Sequence, residues 1–153
     1  MDKIAFKKQI LETARARQHE IVTDFKVRID DINGVEYTTD EDQHDLDQLS
    51  ANQSNKALIA MLTKEWEFAK NELDFLQKMV VLDSPLDSAV IGAVVVTDQK
   101  TFYPSVSVEN FEVNGESVFG ISKKAPLFKE MEGKKVGDTF SFNNYDYNIK
   151  DIY

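Results

Sequence analysis

Residues 81–96 read "VLDSPLDSAVIGAVVV", and the character of the chain changes inside them. Pro85 has no backbone N–H and a fixed φ, so no helix continues through it. Upstream, apolar residues recur every three or four positions, which is a helical period. Downstream they form short alternating or continuous runs bounded by turn residues, which is how strands read. The break predicts two parts: residues 1–82 form an antiparallel coiled-coil hairpin, and residues 83–153 form a small antiparallel β domain. The fold class is α+β.

Upstream of the break, Ile59, Leu62, Trp66, Ala69, Leu73, Leu76 and Val80 follow a 3-4-3-4-3-4 spacing that lines one seam. Lys64, Glu65, Glu67, Lys70 and Glu72 sit between them. The seam fades at "SANQSNK" (50–56), a polar stretch expected to pack little. Earlier still, Ile4, Leu11, Gln18, Phe25 and Ile32 recur every seven residues, with Ala14 and Ile21 three positions after Leu11 and Gln18. This imperfect heptad stripe predicts a first helix over 3–33, stopped by Asn33-Gly34. Thr38 with Glu41, or Asp40 with Gln43, makes a capping box for the second helix. So short a connection gives antiparallel neighbours, and about 30 residues per helix make an arm of about 45 Å.

Downstream, "AVIGAVVV" (89–96), "TFYPSVSV" (101–108), "SVFGI" (117–121), "TFSF" (139–142) and "YNIKDI" (147–152) read as strands. "VNGE" (113–116) and "GKKVGD" (133–138) are turn signals. "APLFKEME" (125–132) reads as a short helix with Pro126 in its first turn.

Charge is distributed unevenly. The net charge is −9, and there is no Lys or Arg between Ile29 and Asn55. Asp30, Asp31, Glu36, Asp40, Glu41, Asp42, Asp45 and Asp47 put −8 into that segment and leave −1 for the rest. An anionic end repels nucleic-acid phosphate, so duplex DNA is not an expected partner there. Acids in a first helical turn complement its dipole, which accounts for Asp40, Glu41 and Asp42. Dipole compensation does not account for Asp45 and Asp47. Carboxylates suit hard cations, and a carboxylate pair can complete a metal site built mainly by a partner. A self-contained calcium loop fails, because Asp45 and Ala51 occupy the positions that need Gly and Glu. His44 and His19 read as ordinary helix residues, and Trp66, Phe68 and Phe75 as packing residues. Lys123, Lys124, Lys129, Lys134 and Lys135 form a basic fringe on the β domain. There are no cysteines, so disulfides and thiolate metal sites are excluded. No apolar run is long enough to span a bilayer. The start at Met1-Asp2-Lys3 does not read as a secretory signal, and a cytoplasmic, monomeric protein is expected. No Ser-His-Asp, Cys-His or phosphate-loop pattern is present.

The second half resembles the C-terminal domain of the Gre family of bacterial transcript-cleavage factors. Val90 to Val96 resembles that family's first strand. Ile121-Ser122 followed by Ala125-Pro126-Leu127 resembles its I-S-x-x-S-P-L loop, with Ala125 in place of Ser. Gly133-Lys134-Lys135-Val136-Gly137-Asp138 resembles its G-K-x-V-G-D turn, and Tyr147 to Ile152 its closing strand. Domain order and length resemble the family too. The resemblance implies an FKBP-like β domain that docks on RNA polymerase, with Ser122, Pro126 and Leu127 bordering the docking surface. It also implies a coiled coil that enters the channel to the active site, with tip acids near the catalytic Mg2+ of the polymerase promoting cleavage of backtracked RNA. The family's tip string G-D-L-x-E-N-A-E-Y has no counterpart, since "GVEYTTDEDQHD" (34–45) stands in its place. Its two catalytic acids therefore map onto no particular pair among Asp40, Glu41, Asp42, Asp45 and Asp47. Two alternatives follow: a Gre-like inhibitor without cleavage activity, or a coiled-coil interaction module unrelated to polymerase.

Overall fold

The structure is a computed structural model that describes residues 1–34 and 46–153, with side chains described outside 35–50. The two long helices are α1 (Lys3–Gly34) and α2 (Leu46–Lys78). Six strands follow: β1 (Val95–Thr97), β2 (Thr101–Ser105), β3 (Phe111–Val113), β4 (Glu116–Ser122), β5 (Thr139–Phe142) and β6 (Tyr145–Ile152). A short helix α3 (Pro126–Met131) lies between β4 and β5. The class is α+β, a helical hairpin followed by a sheet domain. Both predicted capping boxes lie outside the described residues.

Tertiary contacts divide the chain into two compact units. One is Gln18–Leu73, the outer parts of both helices. The other joins Met1–Arg17 to Asp74–Tyr153.

In the helical unit the chain runs out along α1 and returns along α2. The Gln18 side-chain amide donates to the Ala69 carbonyl at 3.0 Å, and the Lys26 ammonium lies 5.6 Å from the Trp66 ring centroid. Rising numbers on α1 thus meet falling numbers on α2, which is the antiparallel arrangement. On α2, Leu62 and Ala69 are buried and Ile59, Trp66 and Leu73 half-buried, as the 3-4 spacing requires. Asn55 and Asn52 extend the same row as half-buried residues, so the polar stretch continues the seam with amides. On α1 the row runs Gln18, Val22, Phe25, Ile29 and Ile32. Ile21, expected in the seam, is exposed, and Val22 takes its place. At about 100° per residue a step of three and a step of four both fall near the same face, and here the step from Gln18 is four, to Val22.

The sheet unit has the strand order β3-β4-β2-β1-β6-β5. Its pairings are antiparallel except β2 with β4, which run parallel from Thr101↔Val118 to Ser105↔Ser122. The sheet is thus antiparallel, as expected, apart from that one pair. The chain leaves β2, crosses to the edge to form β3, and returns as β4 between the two. That crossing passes directly over Gly120, whose N–H donates to the Val108 carbonyl at 2.9 Å. A Cβ at Gly120 would lie 2.8 Å from the Val106 oxygen, so glycine is required by space alone.

Side chains alternate across the sheet with period two and build two cores. On one face Val94, Tyr103, Val118 and Tyr153 pack with Phe6, Ile10, Leu11 and Ala14 of α1 and Leu76 of α2. On the other, Val95, Phe102, Ile121, Phe140, Tyr147 and Ile149 pack under Phe128 and Met131 of α3. Val80, expected to end the α2 seam, is 79% exposed. The helix ends at Lys78, and Arg15 satisfies carbonyls at and just beyond that end: the guanidinium donates to Leu76 O at 3.0 Å, Gln77 O at 3.3 Å and Met79 O at 2.8 Å. Such carbonyls have no partner within the helix.

Candidate functional site

The Ser122–Leu127 stretch is a fixed turn where β4 hands over to α3. The Ser122 hydroxyl accepts the Lys124 N–H at 3.2 Å, and the Ser122 carbonyl accepts the Ala125 N–H at 2.9 Å. Ala125 is extended and serves as the N-cap of α3 without a side-chain hydrogen bond, because alanine has no acceptor to offer. Pro126 follows at the start of the helix, where its missing N–H leaves no bond broken. Pro126 is exposed and Leu127 half-buried, while Phe128 and Met131 on the opposite side of the turn are buried. The sequence-predicted residues Ser122, Pro126 and Leu127 are thus brought together on one turn, with Ser122 shaping it and Pro126 and Leu127 presented by it.

Beside the turn is a cavity of about 310 Å³ lined by Ile121 and Leu127 and by the rings of Phe102, Phe119, Phe142 and Tyr147. Phe102 and Tyr147 meet edge-on at 5.5 Å, Phe140 stacks on Tyr147 at 5.0 Å, and Phe119 lies 6.2 Å from Phe102. Edge-on and offset contacts suit the ring quadrupoles. Tyr145, 59% exposed, stands at the mouth. None of these rings was singled out from sequence. Their signal was present: Phe102, Phe119, Phe142 and Tyr147 fall on same-face positions of four separate strands, but strand order was needed to bring them together.

The sequence-predicted tip acids Asp40, Glu41, Asp42 and Asp45 lie outside the described residues, as does His44. Asp47 lies in the first turn of α2, and its side chain is not described. Among the described residues no group of three His, Asp or Glu is placed to hold a metal ion, and no helix is long and apolar enough to cross a membrane.

Among the described residues three ionisable groups are displaced by burial. The Tyr103 hydroxyl is buried without a hydrogen-bond partner, and desolvation pushes its pKa up to about 12 against a smaller opposing pull from Arg15. Tyr153 is also raised to about 12, by burial first and then by Glu116 and Asp151. Lys7, almost fully buried on α1, is held below its ordinary value by desolvation. All three belong to the core between the helices and the sheet or to its rim. They read as costs of packing rather than as catalytic groups.

No family model matches the chain, and no curated protein matches it. Among solved structures, the crystal structure of GreA factor homolog 1 (Gfh1) protein of Thermus thermophilus is similar at 19% identity. That match covers 91% of this chain and 94% of the other, with a TM-score of 0.35.

Proposed function

We propose that this chain is a Gre-like regulator of transcription elongation that binds RNA polymerase. The observation that carries the reading is the set of ordered motifs in one unit. Ile121-Ser122…Ala125-Pro126-Leu127, the Gly133–Asp138 turn and the Tyr147–Ile152 strand follow a two-helix N-terminal hairpin in the order the Gre family uses. In this reading the turn bearing Ser122, Pro126 and Leu127 docks on the polymerase. The hairpin enters the channel and presents Asp40, Glu41, Asp42, Asp45 and Asp47 near the catalytic Mg2+. That ion belongs to the polymerase and is the only metal the reading needs; carboxylates are the donor type it takes. The polymerase remains the enzyme, and this chain alone hydrolyses nothing. It acts as a cytoplasmic monomer.

Co-elution with core RNA polymerase on size exclusion, lost in Pro126→Ala/Leu127→Asp, is the expected docking result. Absence of co-elution by the wild type removes the reading. Cleavage of backtracked transcripts is then assayed with the wild type and with Asp40→Ala/Glu41→Ala/Asp42→Ala; cleavage is expected only from the wild type.

A second reading is favoured by one observation, the replacement of the family's tip string by "GVEYTTDEDQHD". Extra acids at a shifted position would hold the metal unproductively and inhibit synthesis. Nucleotide addition at limiting magnesium separates the two readings, because an inhibitor slows addition and stimulates no cleavage.

A further inference from the structure

We propose that the aromatic cavity of the sheet unit is a binding site for a small organic acid, an aromatic or branched apolar group carrying a single carboxylate. The apolar group lies among Phe102, Phe119, Phe142 and Tyr147, and the carboxylate pairs with Lys100. This goes beyond elongation control and does not depend on it.

Size comes first. About 310 Å³ is at the small end of ligand cavities, enough for one ring and its substituent but not for an extended molecule. The lining rings and the Ile121, Val108 and Leu127 side chains make the interior hydrocarbon. Apolar matter is what such a space takes.

Charge comes second. Lys100 and Glu109 are the charged residues of the lining. The Lys100 ammonium lies 4.6 Å from the centre of the Phe119 ring and makes no ion pair among the described residues. An exposed cation–π contact is weak beside a charge-assisted hydrogen bond. A carboxylate arriving with the apolar group gives the ammonium a better partner at little desolvation cost. Glu109 disfavours a second anionic group, which limits the ligand to a single charge.

Mobility comes third. The Lys100 backbone is tied down: its carbonyl accepts the Thr97 hydroxyl at 2.7 Å and the Thr97 N–H at 2.9 Å, and its own N–H donates to Thr97 Oγ1 at 2.9 Å. Only the side chain is free to move. Lys100 and Phe119 also border an adjoining hollow of about 260 Å³ whose lining includes Thr97, Asp98, Thr101, Glu116 and Ser117. Lys100 therefore borders both spaces from a hydrogen-bonded turn.

The test uses the full chain labelled with 15N and three probes of one shape: phenylacetate, the neutral phenylacetamide and the cationic phenethylamine. Saturable shifts are expected at the amides of Gly120, Ser107 and Asn143, all of which line the cavity. Phenylacetate should bind at least several-fold more tightly than phenylacetamide, with phenethylamine weaker still, and added salt should narrow the gap. Lys100→Met keeps the apolar stem and removes the charge. It should bring acid and amide to parity while leaving the amide's affinity unchanged, and Phe119→Ala should weaken both. An unchanged melting temperature for Lys100→Met keeps the comparison free of folding effects. Saturation by none of the three probes overturns the proposal. So do shifts mapping away from the cavity, or an acid preference that survives Lys100→Met.

Discussion

The outer helical unit and the sheet unit are built on opposite terms. The sheet unit has two apolar cores, one on each face, and among its described residues the buried side-chain polar atom left without a partner is the Tyr103 hydroxyl. The helical unit has one narrow seam that includes Gln18, Asn52, Asn55 and Trp66. Among the described residues three buried side-chain polar atoms have no partner, and the seam holds two of them, Gln18 Oε1 and Trp66 Nε1. Lysines 26 and 70 both lie over the Trp66 ring, at 5.6 and 3.6 Å from its centre. Buried polar groups left unpaired cost free energy but narrow the choice of register. The comparison teaches that the sheet unit supplies stability, while the helical unit trades stability for a defined pairing.

The largest effect should come from the sheet. Phe102 is almost fully buried and touches three other rings, so Phe102→Ala is expected to cost about 3–5 kcal/mol in denaturant unfolding. A loss below 1 kcal/mol would mean that the aromatic layer is not what holds the unit.

Alkaline pH probes the same unit. Tyr103 and Tyr153 have folded pKa values near 12 against 10 in the unfolded chain. Between those values the unfolded chain has released protons that the folded chain keeps, so stability is full below pH 10 and falls as pH rises toward 12. The loss is on the order of 2 kcal/mol per tyrosine. Tyr103→Phe should remove its share of this slope and, by deleting an unpaired hydroxyl, leave neutral-pH stability equal or slightly higher.

Gly120→Ala forces a methyl against the Val106 and Val108 carbonyls. The strained crossing should cost about 1–3 kcal/mol, read as a lowered melting temperature.

The helical unit should respond with the opposite sign. Gln18→Leu replaces a half-satisfied amide with hydrocarbon and is expected to stabilise the seam by about 1 kcal/mol. Hydrogen exchange along α1 and α2 would slow; faster exchange would show that the Gln18–Ala69 bond outweighs the unpaired oxygen. The smallest effect belongs to Phe68, 57% exposed on α2. Phe68→Gln should change stability by less than about 0.5 kcal/mol.

Much of this fold was legible in residue spacing, and the failures have physical causes. The α2 seam from Ile59 to Leu76 was readable because seven-residue spacing keeps one face for several turns. Ile21 was misplaced because three and four steps from Gln18 both fall near one helix face, and only packing shows that Val22 takes the place. Val80 fits the period, but the helix ends at Lys78, where its end carbonyls are met by Arg15, more than sixty positions away in sequence and invisible to any local window. The strand segments were readable and their order was not. Nothing in "SVFGI" announces that β4 inserts beside β2 and runs parallel to it. For the same reason Ser122, Pro126 and Leu127 could be named from a motif, while the rings around them could not. The acidic segment was legible as charge alone.

The position of the one tryptophan has a practical consequence. Trp66 lies in the helical unit, whereas Tyr103, Tyr145, Tyr147 and Tyr153 all lie in the sheet unit. Emission excited at the red edge of protein absorption therefore reports on the arm alone, without any label. Ammonium groups over the indole make that emission sensitive to whether Lys26 and Lys70 stay in place. Loosening of the arm, or its entry into a partner, should register as a change in the colour and intensity of that emission. The protein thus has a built-in optical gauge for the half of the molecule where its proposed function is concentrated.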